Sequence, residues 1–250
     1  MSLFQLDSAS VPPPAAATIK RRAFFRYAGA TASAATLALV GCNKDGATPG
    51  ATDVGNGDIG VLNFAFAIEQ IEAAFYAKVL TGDYFTKLAT NSADYQIFSD
   101  LARHEQLHVD FLRTVLSTSA LKVLTINLDD QINFDARLTT AGSSKMGVLN
   151  AARMFEDLGV AAYNGAAPFL TTGDYLLLIG KIVSVEARHA ALIRDLLVAK
   201  GDTTLGTGFV GADVVDSKTR QEITITPANV LAKINTFLGA DSQLTASKLA

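Results

Sequence analysis

Apolar residues recur at steps of three and four along four long stretches of the chain, which places them on one face of an α-helix. The first stretch begins at Asp58, which we expect to cap the helix N-terminus, and ends at Leu80. The other three run from about residue 93 to 116, from 144 to 170, and from 174 to 200. Four helices of this length, roughly 30 to 40 Å at 1.5 Å per residue, are typical of an antiparallel bundle.

The connections between these stretches predict how the helices follow one another. The second and third stretches are separated by roughly 27 residues that include a β-prone piece at 123–126, whereas the other connections are shorter. One long connection in the middle is typical of a bundle in which the second and third helices run parallel. Thr226 and Pro227 then open a short helix that ends near Leu238. We therefore predict an all-α four-helix bundle with a long crossover and a short C-terminal helix, spanning residues 58–240.

The first 42 residues have the features of an export signal. Arg21 and Arg22 stand shortly before a stretch without any charged residue, from residue 27 to 43. This order resembles a twin-arginine signal, although an ordinary charged head before a signal peptide or a membrane helix has the same general form. The stretch is rich in Ala and Gly and is weaker than a membrane-spanning helix requires. We predict that residues 1–42 direct export.

The uncharged stretch ends at Cys42, the single cysteine of the chain. Residues 39–42 resemble a bacterial lipobox, in which the cysteine is lipidated and becomes the mature N-terminus. The alternative is that Cys42 is simply a small buried residue. Residues 43–57 are rich in Gly, Thr and Asp and are expected to form a flexible linker. The expected location is the periplasm or cell envelope, with a lipid on Cys42 anchoring the protein to a membrane.

Composition excludes several classes of function. A net charge of -3 with only 18% charged residues provides no basic surface for phosphates, so nucleic acid is not an expected partner. A single cysteine excludes a disulfide, a thiolate zinc cluster and a rubredoxin-type iron site within this chain. Any metal chemistry is therefore restricted to oxygen and imidazole ligands.

An internal repeat relates the first helix to the third and the second helix to the fourth. The repeated positions of the first and third helices are Glu69 with Glu156 and Tyr76 with Tyr163. Those of the second and fourth helices are Glu105 with Glu186 and His108 with His189, in two Glu-x-x-His sequences. Four of the six glutamates in the chain occupy these repeated positions. The chain thus uses one helix pair twice.

The repeated residues have the chemistry of a metal site. Two residues three apart on a helix lie on one face, so the Glu and the His of each pair can both ligate one centre. That face is also apolar, and a buried carboxylate is unfavourable unless it is paired or bound to metal. Two divalent ions would balance four carboxylates. Glu72 shares the face of Glu69 and could replace it, but Glu72 aligns with Gly159, so the repeat favours Glu69.

This constellation is similar to the ferritin-like superfamily, which includes rubrerythrins and manganese catalases. The local sequences at 62–76 and 158–163 most resemble the bacterial ferritin-like, desiccation-related group. The resemblance covers about residues 58–240. It implies that Glu69 and Glu156 are single carboxylate ligands, and that the paired ligands are Glu105, His108, Glu186 and His189.

The resemblance also implies a cofactor of two metal ions, iron or manganese. The expected function is a redox enzyme that acts on peroxide or dioxygen as a peroxidase or a catalase does, outside the cytoplasm. Because the chain lacks rubredoxin-type cysteines, a separate protein is expected to supply electrons. Iron sequestration without turnover and a stress-related structural role remain the alternatives. A homodimer is compatible with each of them.

Three further residues are not among the candidate ligands. The sequence leaves the roles of two of them open and gives the third no part in metal binding. Tyr76 and Tyr163 lie about two turns after their glutamates. We expect them either to orient the opposing carboxylates through hydrogen bonds or to serve simple aromatic packing. His104 has Leu101 three residues before it instead of a glutamate, so we expect it to be structural or solvent-exposed.

Overall fold

The computed structural model of the protein describes residues 50–202 and 211–249. Its helices are α1 (Gly57–Val79), α2 (Asp83–Thr86), α3 (Ala93–Leu116), α4 (Val148–Ala166), α5 (Gly173–Ala199) and α6 (Pro227–Ile234). Its strands are β1 (Thr52–Asp53), β2 (Ile132–Asn133), β3 (Met146–Gly147) and β4 (Leu244–Thr245). The predicted export signal and lipidation site lie outside the described residues. Among the described residues, no helix combines the length and the apolar character needed to cross a bilayer.

Contacts between side chains show how the bundle helices α1 and α4 run. Tyr76, in the last turn of α1, bonds to Glu156 in the first half of α4. Glu69, in the middle of α1, bonds to Tyr163 near the end of α4. As the chain advances along α1, its partners on α4 therefore move backwards. The two helices are antiparallel.

The connection between α3 and α4 is the predicted crossover. At the start of α1, the Asn63 side chain bonds to the carbonyl of Ser119, just past the end of α3, so α1 and α3 are antiparallel. Since α4 is also antiparallel to α1, α3 and α4 run in the same direction and need a long connection. In that connection β2 pairs with β3, and Ile126 bridges to Leu238. The predicted all-α bundle with a long crossover and a short C-terminal helix is confirmed.

The core is built largely around α1, which is buried on most of its surface because helices pack on several sides of it. Phe75 contacts Phe155 of α4 with ring centroids 5.1 Å apart, and Phe155 in turn contacts Phe237 at 5.1 Å. Phe237 follows α6 in a short 3-10 turn. The C-terminal helix therefore acts as a strap across α1 and α4, and it covers the core instead of forming a second domain.

Several helix ends differ from the sequence prediction. α4 ends at Ala166 and not near residue 170, and α6 ends at Ile234, where a 3-10 turn continues to Phe237. α4 begins at Val148 and not near residue 144, because Met146–Gly147 are held in the pairing of β3 with β2. The N-cap of α1 is Asn56 and not Asp58. The Asp58 carboxylate instead accepts hydrogen bonds from the backbone N–H groups of Thr171 and Thr172, just before α5. Asp58 thus joins the start of α1 to the start of α5.

The folded domain extends beyond residues 58–240 at both ends. β1 pairs in parallel with β4, and Val54 is 1% exposed. Near the C-terminus, Leu249 is 3% exposed. The second half of the segment predicted as a flexible linker, from about residue 51, therefore belongs to the fold. Composition alone could not reveal this pairing, because it depends on a strand almost 200 residues away in sequence.

Candidate metal centre

The six side chains selected as candidate ligands converge in the middle of the bundle. The four glutamates are 0% exposed, and the two histidines are 7% and 8% exposed. The cluster consists of Glu69 on α1, Glu105 and His108 on α3, Glu156 on α4, and Glu186 and His189 on α5. All four bundle helices therefore contribute to one buried cluster. The role of these residues as metal ligands stays a prediction.

One half of the cluster surrounds the His108 imidazole. Its Nδ1 atom lies 2.8 Å from Glu186 Oε1, 3.2 Å from Glu69 Oε2 and 3.3 Å from Glu105 Oε2. One donor atom from each of these four residues lies within 4.8 Å of the others. This donor set of three carboxylates and one imidazole is compatible with a bound metal ion.

The other half surrounds the His189 imidazole in the same way. Its Nδ1 atom lies 2.8 Å from Glu105 Oε1, 3.2 Å from Glu186 Oε2 and 3.7 Å from Glu156 Oε2. These four residues also offer donor atoms within 4.8 Å of one another. The internal repeat of the sequence is thus reproduced as two similar sets of donors in space.

Glu105 and Glu186 belong to both halves. Each carboxylate directs one oxygen towards His108 and the other oxygen towards His189. Several of the buried oxygens in the cluster accept no well-aligned hydrogen bond from the described residues: both of Glu105, Oε2 of Glu156 and Oε1 of Glu186. Buried carboxylate oxygens need a partner, and a cation supplies one. The residues present therefore fit a metal-binding role.

Electrostatics tie the histidines to the two shared carboxylates. Burial disfavours the charge on Glu105, but the nearby imidazoles of His108 and His189 hold its pKa at about 2. Burial would also lower the pKa of the imidazoles, yet contacts with Glu105 and Glu186 raise the pKa of His108 to about 12 and of His189 to about 10. In the metal-free protein, imidazolium groups partly neutralise the carboxylates. A metal ion has to displace these protons.

The pKa values of the carboxyl groups on α1 and α4 are raised, in contrast to the lowered pKa of Glu105. Burial raises the pKa of Glu69 well above its usual value, and the charge on Glu186 adds to this, while His108 opposes it. Burial also raises the pKa of Glu156, helped by the charge on Glu105. Burial, together with repulsion among the carboxylates, therefore favours the protonated form of Glu69 and Glu156.

Tyr76 and Tyr163 form reciprocal hydrogen bonds between α1 and α4. The Tyr76 hydroxyl donates to Glu156 Oε1 at 2.5 Å, and the Tyr163 hydroxyl donates to Glu69 Oε1. The Tyr76 ring also packs edge-on against Phe75, with centroids 4.9 Å apart. Hydrogen bonding and aromatic packing, the two alternatives for these residues, thus occur together at Tyr76. Each tyrosine holds one carboxylate oxygen, and the Oε2 atom of the same carboxylate lies near a histidine.

Glu69 and Glu72, which the sequence left as alternatives, occupy different environments. Glu69 lies beside His108, whereas Glu72 belongs to neither group of candidate ligands. Glu72 is nevertheless 1% exposed, and neither of its carboxylate oxygens accepts a hydrogen bond within the described part of the chain. A Cβ atom on Gly159 would lie 2.7 Å from Glu72 Oε1. The glycine at the repeat position of Glu72 therefore makes room for the Glu72 side chain.

His104, which the sequence analysis expected to be structural or solvent-exposed, lies against the cluster. It is half-buried, and its Nδ1 atom lies 3.0 Å from His189 Nε2 across the gap between α3 and α5. Its spacing of four residues from His108 places it on the same face of α3, which is the signal in the sequence that could have indicated a position beside the cluster. The contact depends on the register between two helices that are 85 residues apart in sequence at this point.

A groove with a volume of about 360 Å³ reaches the cluster between α3 and α5. His108 lines it, together with side chains that include Phe111, Leu178, Ile182 and Val185. The walls are mainly apolar. The groove therefore connects the His108 half of the cluster with the surface of the bundle.

Comparison with known proteins agrees with the fold. The family described as ferritin-like domain matches residues 57–199, which is more than half of the chain and includes all six candidate ligands. The search of curated proteins finds no match. The closer resemblance to the desiccation-related group stays a prediction. Because the family match covers more than half of the chain and the structure is a four-helix bundle with a buried cluster, we conclude that the chain belongs to the ferritin-like family.

Proposed function

We propose that the chain binds two metal ions side by side in the buried cluster. In this proposal Glu69 and His108 complete the coordination of one ion, while Glu156 and His189 complete that of the other. Glu105 and Glu186, which belong to both groups of donors, would each supply an oxygen to both ions. The observation that carries the proposal is that each shared carboxylate directs one oxygen to each histidine. Four carboxylates balance the charge of two divalent ions.

The donor set favours iron or manganese. Carboxylate oxygens outnumber imidazole nitrogens two to one in the cluster, and oxygen-rich ligation suits these ions better than it suits softer metals. The match to the ferritin-like family supports the same choice, since its members usually bind iron or manganese. Both metals accept this set of ligands, so the chain is proposed to use one or both of them.

The proposed activity is reduction or dismutation of peroxide, or activation of dioxygen. Two neighbouring iron or manganese ions supply a two-electron exchange with such a molecule. The residues of the chain position this chemistry: the tyrosines fix the carboxylates of Glu69 and Glu156, and the groove admits a small molecule to His108. A peroxide reductase needs electrons from a separate protein, whereas a catalase does not.

Metal analysis and peroxide consumption test this proposal on the purified full chain. We expect two ions per chain and measurable peroxide consumption. Glu105→Ala and His189→Ala should each reduce both the bound metal and the rate, by about tenfold or more, because each removes a donor from the cluster. Glu222→Ala is the matched control, since Glu222 is exposed and lies outside the cluster. It should retain both properties.

The alternatives give different results in the same experiment. Two bound ions without consumption of peroxide or dioxygen favour iron sequestration over catalysis. A stable bundle that binds no iron or manganese favours a structural role in stress and removes the basis of the proposal. Loss of metal in the Glu222→Ala control would show that the measured metal is bound elsewhere.

We further propose that the protein is exported and lipid-anchored, on the basis of the residues in positions 21–42. Replacing both Arg21 and Arg22 by Lys should retain the protein in the cytoplasm, because the twin-arginine pathway reads this pair. Cys42→Ser should release the exported protein from the membrane fraction, because lipid can no longer be attached. Cell fractionation with immunodetection measures both. Unchanged export of the double lysine variant would contradict a twin-arginine route.

A further inference from the structure

The two halves of the cluster are related by the internal repeat, but they are not identical. Glu105 and His108 on α3 correspond to Glu186 and His189 on α5. One residue before each of these glutamates the repeat fails, because α3 carries His104 where α5 carries Val185. The facing helix therefore places a different residue next to His189 than next to His108.

His104 contacts the side of His189 that faces away from the carboxylates. His189 directs Nδ1 towards Glu105, Glu186 and Glu156, which leaves Nε2 as its second nitrogen. That Nε2 atom lies 3.0 Å from His104 Nδ1, and the two rings meet edge to face at 70° with centroids 4.9 Å apart. One of the two nitrogens donates and the other accepts. The bond therefore fixes the orientation of the His189 ring, and it would keep a proton on Nε2 when Nδ1 binds a metal ion.

The corresponding position on α5 provides no such hydrogen bond to His108. Val185 stands where a second histidine would be, and its side chain has no polar atom. Val185 and His108 both line the apolar groove between α3 and α5. The two halves of the cluster therefore differ. His189 forms a hydrogen bond with another histidine, whereas His108 lines the groove.

We propose that His104 is a positioning residue that holds His189 and makes the two metal sites unequal. The site completed by Glu156 and His189 then binds its ion more tightly than the site completed by Glu69 and His108. A hydrogen bond to the second nitrogen of a metal-bound histidine commonly changes metal affinity by about 10- to 100-fold. This inference rests on the proposed function, because it requires the cluster to bind two ions.

Titration of the metal-free full chain with Mn²⁺ tests the inequality. Free Mn²⁺ is followed by its electron paramagnetic resonance signal, which reports binding without any assay of activity. The wild type should bind two ions in two resolvable steps. His104→Ala should weaken the tighter step by about 10- to 100-fold and leave the weaker step within about threefold. His104→Asn, whose amide can replace the Nδ1 contact, should restore most of the lost affinity.

Combination with the ligand variants shows which site His104 serves. In a His189→Ala background, His104→Ala should have no further effect on Mn²⁺ affinity, because its partner is absent. In a His108→Ala background, the full loss should persist. These backgrounds matter because the His104 ring also lies 4.7 Å from the His108 ring. Gln106→Ala, an exposed position on the same helix, is the control and should match the wild type.

Each outcome decides between the two proposals. If the wild type binds neither Mn²⁺ nor iron, the proposed dinuclear site fails and the inequality fails with it. If the wild type binds two ions and His104→Ala binds both as tightly, only the role of His104 is overturned. An equal effect of His104→Ala in the His189→Ala and His108→Ala backgrounds would also overturn it, since it would indicate a general structural role.

Discussion

Glu72 and Gly159 form an unfavourable pair of residues close to the cluster. Burial raises the pKa of Glu72 well above its usual value, and the carboxylates of Glu69 and Glu156 raise it further. Gly159 lies in the middle of α4, where glycine costs about 1 kcal/mol relative to alanine. Neither residue is a good choice for stability alone. Local departures of this kind are common where function, and not stability, determines the residue.

Replacing Gly159 should therefore change the free energy of unfolding in a direction that depends on whether Glu72 is present. Gly159→Ala should lower the free energy of unfolding by about 1 kcal/mol in the wild type, because its Cβ atom would lie 2.7 Å from Glu72 Oε1 and the buried Glu72 side chain would have to shift within the packed core. In a Glu72→Ala background the same change should raise it by about 1 kcal/mol, because the helix gains a better helix former. Urea unfolding of the four metal-free proteins measures this cycle. The same sign in both backgrounds would show that Glu72 does not require the glycine.

The residues of the cluster show what can be inferred from a sequence and what cannot. The internal repeat indicates the six candidate ligands, because a chance match to two Glu-x-x-His pairs is rare in a chain with six glutamates and three histidines. It does not indicate that each histidine directs Nδ1 to the carboxylates, or that His104 supports His189. These features follow from the register between helices, which no short sequence pattern records.

At the scale of elements, α4 is fixed from outside by the chain that leads into α6. The backbone N–H of Ile225 donates to the carbonyl of Ala161 at 3.0 Å. A Cβ atom on Gly165 would lie 1.9 Å from the Ile225 carbonyl oxygen, so only glycine permits this approach. The segment before α6 therefore rests directly on the backbone of α4, which carries Glu156 and Tyr163.

Two glycine substitutions test this packing. Gly165→Ala should lower the free energy of unfolding by about 2 kcal/mol or more, because backbone atoms cannot move aside easily. Gly180→Ala is the matched control on α5, where a Cβ atom would meet nothing within 4 Å. It should raise the free energy by about 1 kcal/mol through helix propensity. Denaturant unfolding compares the two variants, and equal effects would argue against the close approach at Gly165.

Helix existence was predictable from periodicity, whereas helix ends depended on tertiary contacts. The prediction for the second bundle helix agrees with α3 at both ends. The third was predicted too long, because β3 pairs with β2 before it and Pro168 lies in a 3-10 turn after it. Asp58 has the chemistry of an N-cap, but it binds the backbone before α5 instead. In the folded chain, strand pairing and hydrogen bonds to other segments therefore determine where these helices begin and end.

For the whole molecule, the buried cluster predicts how stability depends on pH when metal is absent. The raised pKa values of Glu72, His108 and His189 mean that the folded state binds more protons than the unfolded state at neutral pH. Such groups contribute stability that is fully present below their unfolded pKa values and is lost as the pH rises. The lowered pKa of Glu105 acts only below about pH 4.5.

The metal-free protein should therefore lose thermal stability as the pH rises from 5 to 9. With saturating Mn²⁺ the trend should weaken or reverse, because metal binding needs deprotonated carboxylates and neutral histidines and so is favoured at higher pH. Calorimetric melting temperatures in the presence of a chelator or of Mn²⁺ measure both trends. A metal-free melting temperature that increases steadily over this range would be inconsistent with the protonated cluster.

The most direct test of the central claim is anomalous X-ray scattering at the manganese edge from crystals of the protein grown with Mn²⁺. The account predicts two anomalous peaks inside the bundle, about 3.5 to 4 Å apart, both adjacent to the carboxylates of Glu105 and Glu186. One peak should adjoin His108 and the other His189. A single peak, or peaks found only on the protein surface, would contradict a dinuclear centre.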